Sequence, residues 1–546
     1  MTLGNLIQIS ASGAEDRYLY GNPQVTYFKD VYKRSTNFAI NYSKVPLNGT
    51  SSMQFGSEVK VRIPISGDLL GAVFIKIHFS DLVRNNEFSY MGASDRETDN
   101  IPRYTSYVNG IGYNCIEHVK LMMNGQNIQT LDGKLIYLYN ELYNSQEQKR
   151  SFYRSTGFFD DGFIIGTTNT SDVKCNVMLP LFFSKNSSTY LPLCALTKSV
   201  IELHIKFKPL NKCLVRKYQN VEFPTTEFNA LFTDGTTMRI DADRDDFILD
   251  FLNELPQTID FESVDGLGTE PLGQLRNPGE GSITRSDYID QLKSNYPVPV
   301  TGSIMNEDVS GSIENLEIIT ENIFLDQNER SLFMNKELSY LVELFSIGNE
   351  EIIENPSSNN KYHMEIISKH PTKYIFWYTQ RKDCLENNLY EDHSYRNSLK
   401  FDNEIIAAYN HHILDNSAII VNNNELINNV DSIFLSNVQL QYRFQTSSNS
   451  IIYMYSFALN PKSVEPSGTL NFSKVQHKRI RIELGSEANI TNNLFPEDTD
   501  EISGNFYNQT TTTNRTSQKQ DIIFKYYSCY YNILLIRDGL SSLLYS

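Results

Sequence analysis

The most informative stretch of this chain is Tyr453-Met454-Tyr455-Ser456-Phe457-Ala458-Leu459-Asn460-Pro461. It continues through Glu465-Pro466-Ser467-Gly468-Thr469-Leu470-Asn471-Phe472-Ser473. The first stretch is an apolar and aromatic run that ends at Pro461, and proline cannot donate to a sheet ladder. In the second, Pro466-Ser467-Gly468 is a turn-forming cluster. The segment therefore predicts a strand, a tight corner and another strand, and nothing in it looks catalytic.

Alternation of apolar and polar residues is the dominant pattern along the rest of the chain. Ile201, Leu203, Ile205 and Phe207 interleave with polar residues, which predicts a strand with one face in a core and the other in water. Asn124-Gly125 predicts a hairpin, because both positions of such a turn tolerate positive φ. The same alternation predicts strands at Val73, Ile75, Ile77 and Phe79, at Val438, Leu440, Tyr442 and Phe444, and at Ile480, Ile482 and Leu484.

Length and composition favour a protein of several β domains. A chain of 546 residues exceeds what one hydrophobic core usually holds. Its 33 Tyr and 31 Phe residues favour strands, and its formal net charge of −17 argues against a coat for nucleic acid, which needs a basic excess. Six widely spaced cysteines predict neither a zinc site nor a disulfide framework and indicate a reducing compartment. Without a signal peptide or an apolar run of about 18 residues, we expect synthesis and folding in the cytosol.

Helical patterns are scarce, and two long segments lack any regular pattern. Asp326 is a candidate N-cap with Glu329 as the third residue of its capping box, which predicts a short helix packed against the second half. Residues 241–265 carry nine acidic side chains, and residues 266–311 are rich in Gly, Pro and Ser. We expect this excursion to be solvated and to connect two folded units. Residues 486–520, rich in Asn and Thr, predict a second surface loop.

Ligand-binding motifs are incomplete wherever they begin. Asp241, Asp243 and Asp245 imitate a calcium loop, but Asp246 occupies the glycine position and Leu252 that of the final acid, so a solvated acidic loop is the better interpretation. Gly266-Leu267-Gly268 starts like a dinucleotide fingerprint, yet Pro271 stands where its third glycine belongs, which favours a simple turn.

Histidines give no stronger signal for chemistry. His78 and His204 lie on the polar phase of alternating strands, where a solvent-facing side chain is expected. In an extended chain His411 and His412 point to opposite faces and cannot chelate one metal. The sequence therefore assigns no catalytic, cofactor-binding or metal-binding residue, and we expect a protein without a cofactor that is not an enzyme.

The segment from Tyr453 to Ser473 resembles the most recognisable part of the double jelly-roll major capsid proteins of nucleocytoplasmic large DNA viruses, such as those of algae and protists. Other elements that resemble the family occur in the family's order over more than 500 residues of the chain. They include Gly13 to Lys29 with Asn22-Pro23, Ser66-Gly67-Asp68-Leu69-Leu70, Asn109 to Gly112, Leu191-Pro192-Leu193-Cys194-Ala195-Leu196, Phe324-Leu325-Asp326-Gln327-Asn328-Glu329-Arg330, His370-Pro371, and Tyr531-Asn532-Ile533-Leu534 through Gly539-Leu540.

The resemblance implies an all-β fold of two consecutive eight-stranded antiparallel jelly rolls, with long loops and a few short helices. It divides the chain into an N-terminal base arm (1–24), a first jelly roll (25–212), a connection with the long acidic and Gly- and Pro-rich insertion (213–312), and a second jelly roll (313–546). Residues 486–520 are then expected on the virion exterior. The base arm is expected to face inner capsid proteins and membrane.

The resemblance also implies a function and partners. The chain would trimerise into pseudo-hexagonal capsomers that tile an icosahedral shell, in a virion assembled in the host cytoplasm. It would contact neighbouring capsomers, penton and minor capsid proteins, reach the inner membrane only indirectly, and not bind nucleic acid. Two alternatives stay open: a minor capsid or spike protein of the same fold, and a β-sandwich carbohydrate-binding or carbohydrate-cleaving protein, which would need a pair of inward carboxylates in a cleft.

Overall fold

Long antiparallel strands make up most of the regular structure of the chain. The structure, a computed structural model, describes residues 13–15, 18, 21–30, 32–47, 53–84, 103–157, 173–218, 228–231, 237–240, 258–260, 282–284, 309–334, 336–354, 361–386, 388, 390, 391, 393, 412–485 and 521–545.

The strands up to residue 325 are β1 (Phe38–Val45), β2 (Glu58–Arg62), β3 (Leu69–Phe79), β4 (Val83–Arg84), β5 (Arg103–Tyr107), β6 (Ile116–Met123), β7 (Gln126–Leu131), β8 (Val173–Met178), β9 (Leu191–Pro192), β10 (Ile201–Phe207), β11 (Leu214–Tyr218), β12 (Phe228–Leu231), β13 (Thr237–Ile240), β14 (Thr258–Asp260), β15 (Ser282–Thr284), β16 (Val309–Ser310) and β17 (Ile313–Leu325). Those that follow are β18 (Leu338–Ile347), β19 (Glu351–Ile353), β20 (Lys361–Glu365), β21 (Pro371–Arg381), β22 (Leu414–Val421), β23 (Asn424–Asp431), β24 (Tyr453–Ser456), β25 (Leu470–Asn471), β26 (Lys478–Leu484), β27 (Ile522–Arg537) and β28 (Leu540–Leu543).

Helices are fewer than strands in the described residues. The α-helices are α1 (Ile111–Asn114), α2 (Gly133–Tyr143), α3 (Gln146–Thr156), α4 (Gln327–Met334) and α5 (Lys382–Glu386). Phe434–Val438 and Leu440–Phe444 form one continuous helix with π-type turns, called the π helix below. Single 3₁₀ turns lie at Ser187–Thr189, Leu193–Ala195, Leu210–Lys212 and Phe472–Lys474.

Two sandwiches with the same strand order make up the chain. In the first half, the sheet β1-β17-β3-β8, with β9 beside β3, faces the sheet β2-β10-β6-β7. In the second half, the sheet β18-β27-β21-β24, with β25 beside β21, faces the sheet β20-β26-β22-β23. Eight strands build the frame of each half, all paired antiparallel, so the predicted pair of eight-stranded sandwiches is confirmed.

Even the register of pairing repeats between the halves. In the first half Leu70 pairs with β9, and four residues later Phe74 pairs with Met178 of β8. In the second half Thr372 pairs with β25, and four residues later Phe376 pairs with Met454 of β24. Phe74 and Met178 therefore occupy the same positions in the first sandwich as Phe376 and Met454 do in the second.

Most strands that alternation predicted are present. Residues 201–207 form β10 with strictly alternating burial, residues 73–79 lie in β3, and residues 480–484 lie in β26. Asn124 and Gly125 both have positive φ and join β6 to β7, as a tight hairpin requires.

The predicted strand at residues 438–444 is wrong, because this segment belongs to the π helix. Leu440 and Phe444 are buried, whereas Val438 and Tyr442 are exposed. Apolar residues at every second position fit a strand, but spacings of four also fit a helical turn. Here the helical spacing determines which residues are buried.

Two helices of eleven residues, α2 and α3, went unpredicted. Asp132 caps α2 by accepting a hydrogen bond from Leu135 N at 2.6 Å, and Ser145 and Gln148 form a capping box that opens α3. The spacing Ser145-x-x-Gln148 is a local signal that could have revealed α3.

The helix predicted after Asp326 is present as α4, but it packs against the first half and not the second. Asp326 accepts a hydrogen bond from Gln327 N at 2.7 Å. Arg330 Nε lies 3.1 Å from Asp68 Oδ1, and Asp68 also accepts from Leu325 N. This anchor lies at the start of β3 and holds α4 to the first sandwich.

The long excursion starts and ends within the first half. Strand β17 follows the excursion and pairs with both β1 and β3, so it closes the first sandwich. The predicted start of the second half at residue 313 is therefore wrong, because β17 is hydrogen-bonded into a sheet of the first half. Within the excursion, β12 pairs with β13 and β14 with β15, while residues 486–520 lie outside the described residues.

Candidate assembly interface

A buried seam joins the two halves into one core. The face of β18, β27 and β21 that points away from the second sandwich packs against α2 of the first. Tyr139 and Tyr143 of α2 stack at 4.3 Å, Tyr139 meets Phe345 edge-on at 6.0 Å, and Tyr143 Oη lies 3.0 Å from Tyr374 Oη. The second half thus buries both faces of this sheet, which explains why almost every residue of β21 is buried.

Glu343 holds two lysines at this seam. Its Oε2 lies 3.2 Å from Lys185 Nζ of the first half, and its Oε1 accepts from Lys373 Nζ, which is fully buried. Burial lowers the pKa of Lys185, but Glu343, Cys529 and Tyr139 together outweigh this effect and raise that pKa. Lys373 also donates to Ser463 O at 2.7 Å, so the seam reaches the corner between β24 and β25.

A second buried ion pair ties α2 and α3 to a loop of the other half. Lys149 Nζ lies 3.1 Å from Glu141 Oε2, and both side chains are fully buried. The same oxygen accepts hydrogen bonds from Ser448 Oγ at 3.1 Å and Asn449 N at 2.8 Å. Tyr153 Oη donates to Glu141 Oε1, so donors from both halves surround this carboxylate.

The N-terminal end of α2 forms a third polar contact across the seam. Lys525 Nζ of β27 lies 3.1 Å from Asp132 Oδ2. Next to it, Lys134 donates to Tyr390 O, and burial lowers the pKa of Lys134 to about 7. Burial also raises the pKa of Glu391, which accepts from Tyr113 Oη at 3.1 Å. Buried charges of this kind add little net stability, because the cost of removing them from water offsets much of their attraction.

The stretch from Tyr453 to Ser473 forms the predicted strand, corner and strand, and hydrogen bonds hold the corner in place. Leu459 N donates to Ser467 O at 3.2 Å, and Asn460 N donates to Ser467 Oγ at 2.9 Å. Arg443 Nη1 of the π helix donates to Leu459 O at 3.0 Å. Gly468 has a φ of 134°, and a Cβ there would lie 2.8 Å from Phe457 O, so the corner requires glycine.

Among the exposed apolar residues of the described chain, two groups lie outside the seam and close to the elements that build it. The first, called the sheet face below, is the outer face of β1, β17, β3 and β8, with Phe38, Ile40, Tyr42, Ile319, Phe74 and Met178. The second, called the helix face, consists of Val438 and Tyr442 of the π helix and the neighbouring Leu459. Contiguous apolar surface of this kind marks sites of protein association.

The histidines singled out in the sequence are partly buried and lie beside polar partners. His78 Nδ1 lies 3.3 Å from Glu314, and His204 lies within 3.8 Å of both Glu58 and Glu202. Both lie on the outward side of their strands, as expected, but neighbouring side chains cover much of each ring. His412 Nδ1 lies 3.2 Å from Tyr453 Oη, while His411 is outside the described residues. The calcium-like residues Asp241, Asp243 and Asp245 and the turn 266–268 also lie outside them.

Two features are absent from the described part of the chain. Within it, no three His, Cys, Asp or Glu side chains gather as a metal site requires. No helix there has the length and apolarity to cross a membrane.

Comparisons with known proteins identify the family. The family model described as "Major capsid protein N-terminus" matches residues 26–241, and that described as "Large eukaryotic DNA virus major capsid protein" matches residues 329–542. The major capsid protein of Paramecium bursaria Chlorella virus 1 is 22% identical over 563 residues, covering 100% of this chain and 99% of the relative. Probable capsid protein 4 of Acanthamoeba polyphaga mimivirus is 23% identical over 512 residues, covering 88% and 93%.

Solved structures show the same fold. The quasi-atomic model of the PBCV-1 virus capsid matches with a TM-score of 0.59 at 18% identity, covering 95% of this chain and 100% of that one. The Faustovirus major capsid protein matches with a TM-score of 0.57 at 11% identity, covering 98% and 96%. The chain belongs to the family of large eukaryotic DNA virus major capsid proteins, as a structural subunit of the virion capsid shell.

Proposed function

We propose that the chain works as a homotrimer, which forms a pseudo-hexagonal capsomer of the icosahedral shell. The observation that carries this proposal is the repeat of one strand order in both halves. Two similar sandwiches fixed side by side supply two lobes per chain, so three chains supply six lobes. A closed threefold ring of such chains has a nearly hexagonal outline that suits tiling.

The partners proposed for this trimer are neighbouring capsomers, penton proteins and minor capsid proteins. The inner membrane would be reached only indirectly. A net charge of −17 supports a subunit that does not bind the genome directly. The first jelly roll, the second jelly roll and the base arm 1–24 would provide the contacts, with residues 486–520 on the outer surface.

A structural role without enzymatic activity fits the buried carboxylates. Asp68, Glu141, Glu321 and Glu343 are four buried carboxylate residues of the described chain. Asp68, Glu141 and Glu343 each pair with Arg or Lys, and Glu321 accepts from Tyr42 Oη and Ala72 N. Such carboxylates stabilise the fold, whereas a glycosidase needs two carboxylates facing a substrate.

Light scattering from the purified chain tests the trimer. We expect a mass of about 188 kDa, three times the 62.7 kDa of one chain. A stable monomer at every accessible concentration would refute the proposal. Counting copies in the particle separates a major subunit from a minor capsid or spike protein, because only the major subunit outnumbers every other shell protein.

A further inference from the structure

The second sandwich is covered on its outer face by the first, whereas the equivalent face of the first sandwich is partly exposed in the described chain. Phe376 and Met454 lie in the seam and are both fully buried. Their positional equivalents on the sheet face are Phe74, which is only partly buried, and Met178, which is 40% exposed. These two positions are apolar in both halves, whereas Lys76 and Lys44 stand where the second sandwich has Tyr378 and Ile347. The two faces therefore differ in cover and also in charge.

The edge strands β18 and β1 show the same difference in exposure between the two halves. In β18, Phe345 pairs with Cys529, two positions along β27 from Tyr527, the partner of Phe376. In β1, Tyr42 pairs with Glu321, two positions along β17 from Ile319, the partner of Phe74. Phe345 is 6% exposed beneath Tyr139 of α2, whereas its equivalent Tyr42 is 58% exposed.

Helix α2, which covers the seam, corresponds to the π helix of the second half, and the matching side of the π helix is exposed. Helix α2 follows β7 directly and begins at the cap Asp132, and the π helix follows β23 directly, where Asp431 accepts from Phe434 N at 2.5 Å. Counted from these caps, Tyr139 and Tyr143 correspond to Val438 and Tyr442. The first two fill the seam, while Tyr442 is 71% exposed.

We infer that the helix face of one copy packs on the sheet face of the next copy, and so repeats between chains the contact that α2 makes within the chain. The inference rests on the proposed trimer and names its contact surface. Each copy carries one helix face and one sheet face, as a head-to-tail ring requires, since an odd number of subunits cannot close through a self-complementary patch. Lys44 and Lys76 both pair with Glu317 on the same outer face, so the sheet face combines its apolar residues with a charged cluster.

Two blocked variants test this arrangement. Val438→Glu with Tyr442→Glu blocks the helix face, and Ile40→Glu with Met178→Glu blocks the sheet face. All four side chains are exposed in the single chain, so we expect far-ultraviolet circular dichroism to be unchanged. Ile352→Glu is the matched control, because Ile352 and Ile40 are both 52% exposed and Ile352 lies on neither face.

Light scattering gives the readout. The unaltered chain and the control should be trimers, and each blocked variant alone should be a folded monomer of 62.7 kDa. An equal mixture of the two blocked variants should give a dimer of about 125 kDa, because one intact helix face can meet one intact sheet face and the ring cannot continue.

The other outcomes overturn the inference in distinct ways. A blocked variant that stays trimeric shows that the trimer uses other surfaces, and leaves the proposed function intact. Two monomeric variants that do not combine on mixing exclude the head-to-tail pairing. A monomeric unaltered chain refutes the proposed trimer and this interface together.

Discussion

Replacing Lys149 by Met should destabilise the chain far more than the loss of a surface ion pair. The change leaves the fully buried Glu141 carboxylate without its counter-charge. Breaking a buried pair in this way costs about 3–5 kcal/mol. Because Ser448 Oγ and Asn449 N still donate to Glu141, we expect the lower end, about 3 kcal/mol.

Two further variants separate burial from simple pairing. Lys44→Met breaks a pair of similar length, 2.9 Å against 3.1 Å, on the surface, and should cost at most about 1 kcal/mol. Lys149→Met combined with Glu141→Gln removes both buried charges and should recover most of the loss, since the amide needs no counter-ion.

Urea unfolding of each variant measures these differences. Trp377, the single tryptophan, is buried in the second sandwich and reports on that half, while circular dichroism reports on both. Weakening the seam should separate the two signals, with the first half unfolding at lower urea. If Lys149→Met costs no more than Lys44→Met, burial does not govern the strength of this pair and the reasoning is refuted.

Three other perturbations give independent checks. Gly133→Ala should lower stability by about 1–3 kcal/mol or more and reduce soluble yield, because a Cβ there would lie 2.1 Å from Tyr113 O and 2.7 Å from Ile116 O; equal urea midpoints would contradict this. Burial lowers the pKa of Lys134 from 10.5 to about 7, so between these pH values the unfolded chain binds more protons than the folded chain and stability rises with pH. From about pH 7 to about pH 9, the urea midpoint of the wild type should therefore rise relative to that of Lys134→Met. Parallel changes in the two proteins would refute this expectation. A thiol reagent should leave the native protein unlabelled and react with all six cysteines after unfolding, because all six are buried; rapid native labelling would show that the core opens.

Local patterns in the sequence predicted the strands and turns of the fold well. β10 and β26 alternate cleanly because one face is buried and the other wet, and Asn124-Gly125 has the backbone freedom that a tight hairpin needs. The π helix was mistaken for a strand because its apolar residues stand at every second position. Alternation alone could not separate the two structures.

Contacts between distant segments could not be predicted in this way. Glu141, Lys149, Glu343 and Lys373 look like surface residues in the sequence, yet all four are buried. Glu141 and Lys149 contact residues 447–449 of the other half, and Glu343 contacts Lys185, so the contacts that accompany burial come from remote parts of the chain. The pairing of β1 with β17 likewise leaves no local trace. The assembly surfaces were invisible for a related reason, since an apolar residue on a strand looks the same whether a core or another molecule covers it.

Strand β17 also constrains the order in which the chain can fold during synthesis. Tyr42 of β1 and its partner Glu321 are separated by 279 residues. At roughly 5–20 residues per second, a ribosome needs on the order of tens of seconds to deliver that partner. The second sandwich waits for β27, whose last residue is Arg537, near the end of the chain. The first sandwich cannot close before β17 is made, and the second cannot close before β27 is made. Until then the nascent polypeptide exposes unpaired strand edges, which is when a chaperone would have the most to protect.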